Sequence, residues 1–129
     1  MACADEPAAP RAPAKLRWDE WAREPGRWRG HVDGVRFGTG ATILFYETDE
    51  VGAGPRLHVH AYDEIFIVRE GRARFTVGDT VIDAEAGDVL FGPANVPHKF
   101  RNIGPGALRT TDVHLAERWE QTLVDDPDP

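Results

Sequence analysis

The chain has 129 residues, 41% hydrophobic and 29% charged, the length and composition of a single globular domain with one real core. Its formal net charge of −7 gives no basis for attraction to nucleic acid or to an anionic membrane. Cys3 is the single cysteine, which rules out an internal disulfide and a thiolate metal site.

Residues 1–15, "MACADEPAAPRAPAK", are rich in Ala and Pro, carry acids early and lack an apolar centre. They read as a disordered tail and not as a signal peptide. No apolar stretch approaches the roughly 20 residues of a membrane span, so a soluble, cytoplasmic chain is expected. A single domain is expected over 16–124, followed by an acidic tail, "DDPDP" (125–129), that should fray. At the start of the domain, Trp18 and Trp21 stand three apart in "LRWDEWAREPGRWRG". That spacing predicts a short helical turn ending near Pro25, packed as a lid on the domain or on a partner chain. His31, between Gly30 and Asp33, reads as a loop residue.

From residue 35 the pattern changes to short strands between glycine-bearing turns. Strands are predicted at 41–48, 56–60, 64–70, 73–77, 80–85, 88–92, 97–103 and 107–115. Gly78-Asp79 is a two-residue hairpin signal. A short helix, "AERWEQTL" (116–123), is expected to close the chain. This series of short strands predicts an all-β sandwich or small barrel.

Within it, "HVHAYDE" concentrates ligand chemistry. Side chains two apart on a strand share a face, so His58 and His60 face together. A turn at 61–63 is expected to return Glu64 beside His60 on an adjacent antiparallel strand. His98, at the start of a later strand, is a fourth candidate. Three imidazoles and a carboxylate suit one divalent transition metal per chain, Fe, Mn, Ni, Zn or Cu, with coordination positions left open for chemistry.

Two longer patterns carry a resemblance. Gly52 to Gly71 reads G-x5-HxH-x3-E-x6-G, similar to the first motif of the cupin family. Gly87 to Asn102 reads G-x5-P-x-N-x2-H-x3-N, similar to the second, with Asn95 where the family usually has glycine. Fifteen residues, 72–86, separate the two. The resemblance implies a double-stranded β-helix, the cupin or jelly-roll barrel, with short helical segments at both ends. It also implies a metal inside the barrel mouth held by His58, His60, Glu64 and His98. Gly52, Gly71 and Gly87 would serve turns, and Pro93 would shape the loop before His98. Asn tolerates a left-handed backbone, so the loop around Asn95 is expected to survive.

Alternation places Phe66 with Glu64, and Phe100 and Asn102 with His98, as candidate lining of a mainly apolar substrate pocket. Arg56 shares the face of His58 and His60 and is a candidate for an anionic substrate, or a rim charge. Tyr46 and Tyr62 are candidate proton donors, or packing residues. His114 shares a face with Asp112 and Thr110, as an acid–base pair or a polar pair at a strand end.

Within the resembling family, such a site serves dioxygenases, isomerases, decarboxylases, lyases and cyclases acting on small organic molecules, and fold alone does not choose among them. A non-catalytic binding or sensing module is the alternative, and a purely structural metal the third. A homodimer is expected from outward-facing Ile65 and Ile67 and the Trp-rich segment, an expectation that a monomeric mass by light scattering would overturn.

Overall fold

Runs of β-branched and aromatic residues between turn glycines give ten strands in the computed structural model, which describes residues 11–129. They are β1 (Gly30–Val32), β2 (Thr42–Thr48), β3 (His58–Val59), β4 (Glu64–Glu70), β5 (Arg72–Val77), β6 (Thr80–Glu85), β7 (Val89–Gly92), β8 (His98–Asn102), β9 (Leu108–His114) and β10 (Thr122–Leu123). A helical turn, α1 (Trp18–Trp21), and a 3-10 turn at Gly34–Phe37 precede β2. Every strand expected from residue 41 onward is present. The one at 56–60 is shortened to two residues, and β1 and β10 are additions. β8 starts after Pro97, which has no N–H to give to a ladder.

Two antiparallel five-stranded sheets face each other, ordered β1-β2-β9-β4-β7 and β10-β3-β8-β5-β6. The chain is all-β, a jelly-roll barrel with minor helical turns. Cross-strand register stacks the interior of the first sheet in rows. Thr42, His114, Glu64 and Gly92 form one row, and Leu44, Asp112, Phe66 and Leu90 the next. Phe66, Phe75, Phe100, Val68, Ala73 and Leu108 are buried together as the apolar core. That core lies directly beneath the polar row, with the Phe66 ring 5.2 Å from the His98 ring.

Three expectations change on contact with the structure. The helix expected at 116–123 is an irregular segment ending in β10. An isolated helix of that length is marginal, and its polar groups are used elsewhere. The Trp119 backbone N–H donates to Oδ1 of Asp33 at 3.0 Å, and β10 pairs with β3. The acidic residues expected to fray instead lie against β8, where Lys99 pairs with Asp126 at 2.5 Å. Finally, β3 and β4 are not hairpin neighbours, because they belong to opposite sheets.

The tail expected over 1–15 falls, for residues 1–10, outside the described residues. The helical turn near Trp18 is present, and Trp21 stacks on Phe45 of the same chain at 3.7 Å between ring centroids. His31, read as a loop residue, is in β1 with its ring edge-on to Trp119 at 5.0 Å. Ile65 and Ile67 do face outward, in rows with Phe91 and Val89, both more than half exposed. Among the described residues no helix is long and apolar enough to cross a membrane.

Candidate metal centre

His58 of β3 lies directly opposite His98 of β8. His60 follows two residues later, and the loop 61–63 then crosses to the other sheet, where Glu64 opens β4. The four side chains therefore converge across the barrel interior and not along a hairpin. Their ligand atoms all lie within 4.8 Å of one another, and all four residues are buried. The crossing loop is tied to the loop before β8. Asp63 accepts the Ala94 N–H at 2.8 Å, and the Asn95 N–H donates to the His60 carbonyl at 2.8 Å. Asn95 makes that contact with φ 66, the left-handed conformation glycine would adopt without cost and Asn tolerates. Gly92 keeps the site open: a Cβ there would sit 2.9 Å from the Phe66 ring and 3.5 Å from Nδ1 of His98.

Hydrogen bonding fixes which ring nitrogens look inward. Nδ1 of His58 is 2.6 Å from the Arg56 carbonyl, and Nδ1 of His60 is 2.6 Å from the Glu120 carbonyl. A carbonyl only accepts, so each Nδ1 carries the proton, the arrangement that orients metal-binding histidines elsewhere. Burial pushes His58 down to about 4, so its ring is neutral at pH 7 and Nε2 is a free lone pair. Nε2 of His60 and Nε2 of His98 each lie 3.1 Å from Oε1 of Glu64. In the neutral His60 ring the one proton is on Nδ1, which leaves Nε2 with none to give to Glu64. All three atoms are buried without a hydrogen-bond partner. Burial by itself would raise the Glu64 pKa, but the imidazoles around it, His114 foremost, hold it below the usual carboxylate range. An anionic oxygen facing a bare imidazole nitrogen in a dry site is repulsive unless a cation lies between them. Three imidazoles and a carboxylate form the donor set for a divalent transition ion. The residues fit the metal.

A cavity of about 420 Å³ opens beside this group, lined among others by His58, Glu64, Phe66, Phe100, Tyr46 and Arg56. Phe66 and Phe100 line this cavity, and so does Tyr46, the candidate proton donor or packing residue, with Arg29 over its ring at 4.9 Å. Arg56 is on the rim with an exposed side chain. Tyr62 and His114 join the cluster, hydrogen-bonded to each other at 2.7 Å. Asn102, a candidate for substrate, is not brought to the cavity. Its amide is spent on Gly106 and Glu50 carbonyls at 2.9 and 3.3 Å and on the Gly104 N–H at 2.8 Å, stapling the loop after β8. A larger groove of about 850 Å³ runs between β5, β8 and the acidic tail and includes none of the four groups.

Asp112, on the inward face of β9 with His114 and Thr110, accepts a hydrogen bond from the Thr110 hydroxyl (Oγ1 to Oδ2, 3.1 Å). It lines the cavity with Oδ1 unpartnered. Alternation along β9 places it inward, but not without a bonding partner. Burial, reinforced by the charge of Glu64, pushes its pKa well above the ordinary carboxyl value. The native protein then holds this proton at pH values where the unfolded chain has lost it. Asp112 therefore contributes stability below the unfolded pKa that is lost as pH rises through the folded one. Asp112→Asn is expected to raise the thermal midpoint at pH 7, by about 4 °C for each kcal/mol recovered, with no gain near pH 4. Equal effects at both pH values would contradict this. The Glu120 carbonyl was also missed, since a backbone group leaves no mark in sequence.

Comparison with known proteins agrees with the fold. The family model for the cupin domain matches residues 45–114, a stretch that contains the whole cluster. A 44-residue segment is 46% identical to an uncharacterized Streptomyces coelicolor protein, covering 34% of this chain and 42% of that one. A 60-residue segment is 36% identical to an uncharacterized Methanocaldococcus jannaschii protein, covering 46% and 48%. The chain thus spans less than half the length of these curated relatives. Solved structures of Bacillus subtilis oxalate decarboxylase, one concerning that enzyme's Mn(II) centres, superpose with a TM-score of 0.67 at 22–23% identity. They cover 74% of this chain and 27% of theirs, a likeness of fold. With more than half its length matched by the family model and both motifs folded around one buried cluster, this chain belongs to the cupin family.

Proposed function

We propose that the protein is a metal-dependent enzyme acting on a small organic molecule, of the dioxygenase, isomerase, lyase or cyclase kind. One observation carries the reading: Glu64, whose Oε1 is buried without a partner, lines together with His58 a cavity large enough for a small molecule. His58, His60, Glu64 and His98 would hold one divalent ion, Fe, Mn, Ni, Zn or Cu. When bound, such an ion supplies Lewis-acid polarisation of a substrate oxygen and, for a redox-active metal, an electron source.

The chain's own residues do the rest. The Arg56 and Glu120 carbonyls keep two imidazoles oriented with Nε2 inward. Phe66 and Phe100 form a dry apolar wall, which strengthens every polar interaction made inside it. Asp112, whose burial favours the protonated carboxyl, lines the cavity within reach of a substrate oxygen, and Arg56 stands at the rim for an anionic group. The homodimer expected from Ile65 and Ile67 belongs to the same reading, supported by the exposed Val89 and Phe91 beside them.

The test is turnover by metal-loaded protein. Oxalate, the substrate named for the structural neighbours, would be screened with diketones, phenols and thiols, following oxygen uptake and products by mass spectrometry. Consumption of one class, lost in His98→Ala, is the expected result. No consumption by loaded protein, together with a small molecule retained through purification, would instead favour a non-catalytic binding or sensing module.

A further inference from the structure

The two carboxylate oxygens of Glu64 have different surroundings. Oε1 faces His60 and His98 and has no hydrogen-bond partner. Oε2 lies 3.1 Å from Nε2 of His114, the residue directly across from Glu64 on β9. The other ring nitrogen of His114, Nδ1, lies 2.7 Å from the Tyr62 hydroxyl. A neutral imidazole carries one proton, and the neighbours decide where. A carboxylate can only accept, so Nε2 bears the proton and donates to Oε2. Nδ1 is then an acceptor, and the Tyr62 O–H donates to it. The other tautomer would press a bare nitrogen against the carboxylate.

Tyr62 makes two further contacts, both with the backbone of Glu120. Its oxygen accepts the Glu120 N–H at 3.2 Å. The same hydroxyl is also placed to donate to the Glu120 carbonyl at 2.8 Å, so its one proton is shared between Nδ1 of His114 and a carbonyl that already receives the Nδ1–H of His60 at 2.6 Å. At Oε1 the surroundings differ: the His60 proton is held on the far side of the ring by the Glu120 carbonyl, and among the described residues no protein acceptor or donor fixes the tautomer of His98. One oxygen of Glu64 therefore faces a ring whose second nitrogen has a hydroxyl partner, and the other faces two imidazole nitrogens without one.

Resting on the metal reading above, we infer that Tyr62 and His114 are positioning residues of the metal centre. The chain Tyr62→His114→Glu64 holds Oε2 and directs Oε1 alone toward the ion. Without that donor the carboxylate is free to turn and present both oxygens. Outer hydrogen bonds of this kind typically change metal affinity by about 10–100-fold. The backbone of Glu120 touches both Tyr62 and His60, so the segment between β9 and β10 sets the orientation of two rings at once.

The experiment adds Mn(II) to metal-stripped full-length protein and reads affinity by chelator competition and carboxylate geometry by the Mn(II) EPR line shape. His114→Leu is expected to weaken binding about 10–100-fold and to change the line shape. His114→Gln, whose amide N–H can reach Oε2, is expected to recover most of both. Tyr62→Phe, altered at a half-buried position, is expected to fall between. Folded His114→Leu with wild-type affinity and line shape would overturn the inference. So would His114→Gln as impaired as His114→Leu, since that marks simple packing. A fourth imidazole nitrogen on the ion, counted by pulsed EPR, would overturn it by making His114 a ligand. If His114→Leu does not fold, Tyr62→Phe decides, and an unchanged affinity and line shape there overturns the inference. Failure of wild-type protein to bind any transition ion removes the metal reading itself, an outcome distinguished by appearing before any substitution is made.

Discussion

Replacing His98 with alanine is expected to leave the protein unable to retain a metal through purification. His98 is 2% exposed, lies opposite His58 in the register of β3 and β8, and sets Nε2 3.1 Å from Oε1 of Glu64. Its removal deletes one of three nitrogens from a site too buried for bulk water to replace it freely. Losses from merely outer hydrogen-bond partners already reach about 100-fold, so loss of a ligand is expected to exceed that. A ligand present at 100 times its Kd stabilises the folded state by about 2.7 kcal/mol. The variant should therefore show no rise in thermal midpoint on metal addition where the wild type does, while keeping a β-rich circular dichroism spectrum. An alanine variant that still carries one ion per chain would remove His98 from the site.

Phe75→Ala is expected to produce the largest loss of stability from a single side chain outside the site. Phe75 is fully buried, with its ring 5.0 Å from Phe66 and 4.9 Å from Phe100. Truncating a buried Phe typically costs about 3–5 kcal/mol, the lost transfer energy plus the cavity left behind. Against a total of about 5–15 kcal/mol, that brings the domain near the edge of unfolding at ordinary temperature. Chemical denaturation would show it as a large fall in midpoint. Phe66, not Phe75, touches the His98 ring, so the fraction that remains folded should still bind metal. A change below about 1 kcal/mol would mean that the three-phenylalanine cluster is not the core.

The residues explain why some of this was readable in sequence and some was not. Period-two alternation and turn glycines are local signals, so the strand bounds from 42 to 114 emerged closely. The HxH and Glu64 spacing with His98 named the four groups before any geometry was known. The route by which Glu64 reaches His60 did not emerge. A three-residue loop reads as a hairpin turn, and only the sheet order shows it crossing between sheets. Asn95 and Gly71 illustrate the opposite case, where local conformation was legible. Both take positive φ, and a Cβ at Gly71 would also lie 2.1 Å from the Ala107 carbonyl. The segment after His114 was misread because its helical pattern is short, while its polar groups serve residues roughly 60 or more positions earlier. Long-range use of backbone carbonyls has no local signature. Asp112 was in plain view on the inward face of β9, but its missing hydrogen-bond partner is a property of the folded cavity alone.

Metal analysis of the purified wild-type chain tests the central claim most directly. About one divalent transition ion per chain is predicted, either as purified or after reconstitution of stripped protein. A chain that is metal-free as isolated and takes up none of Fe, Mn, Ni, Zn or Cu would contradict it.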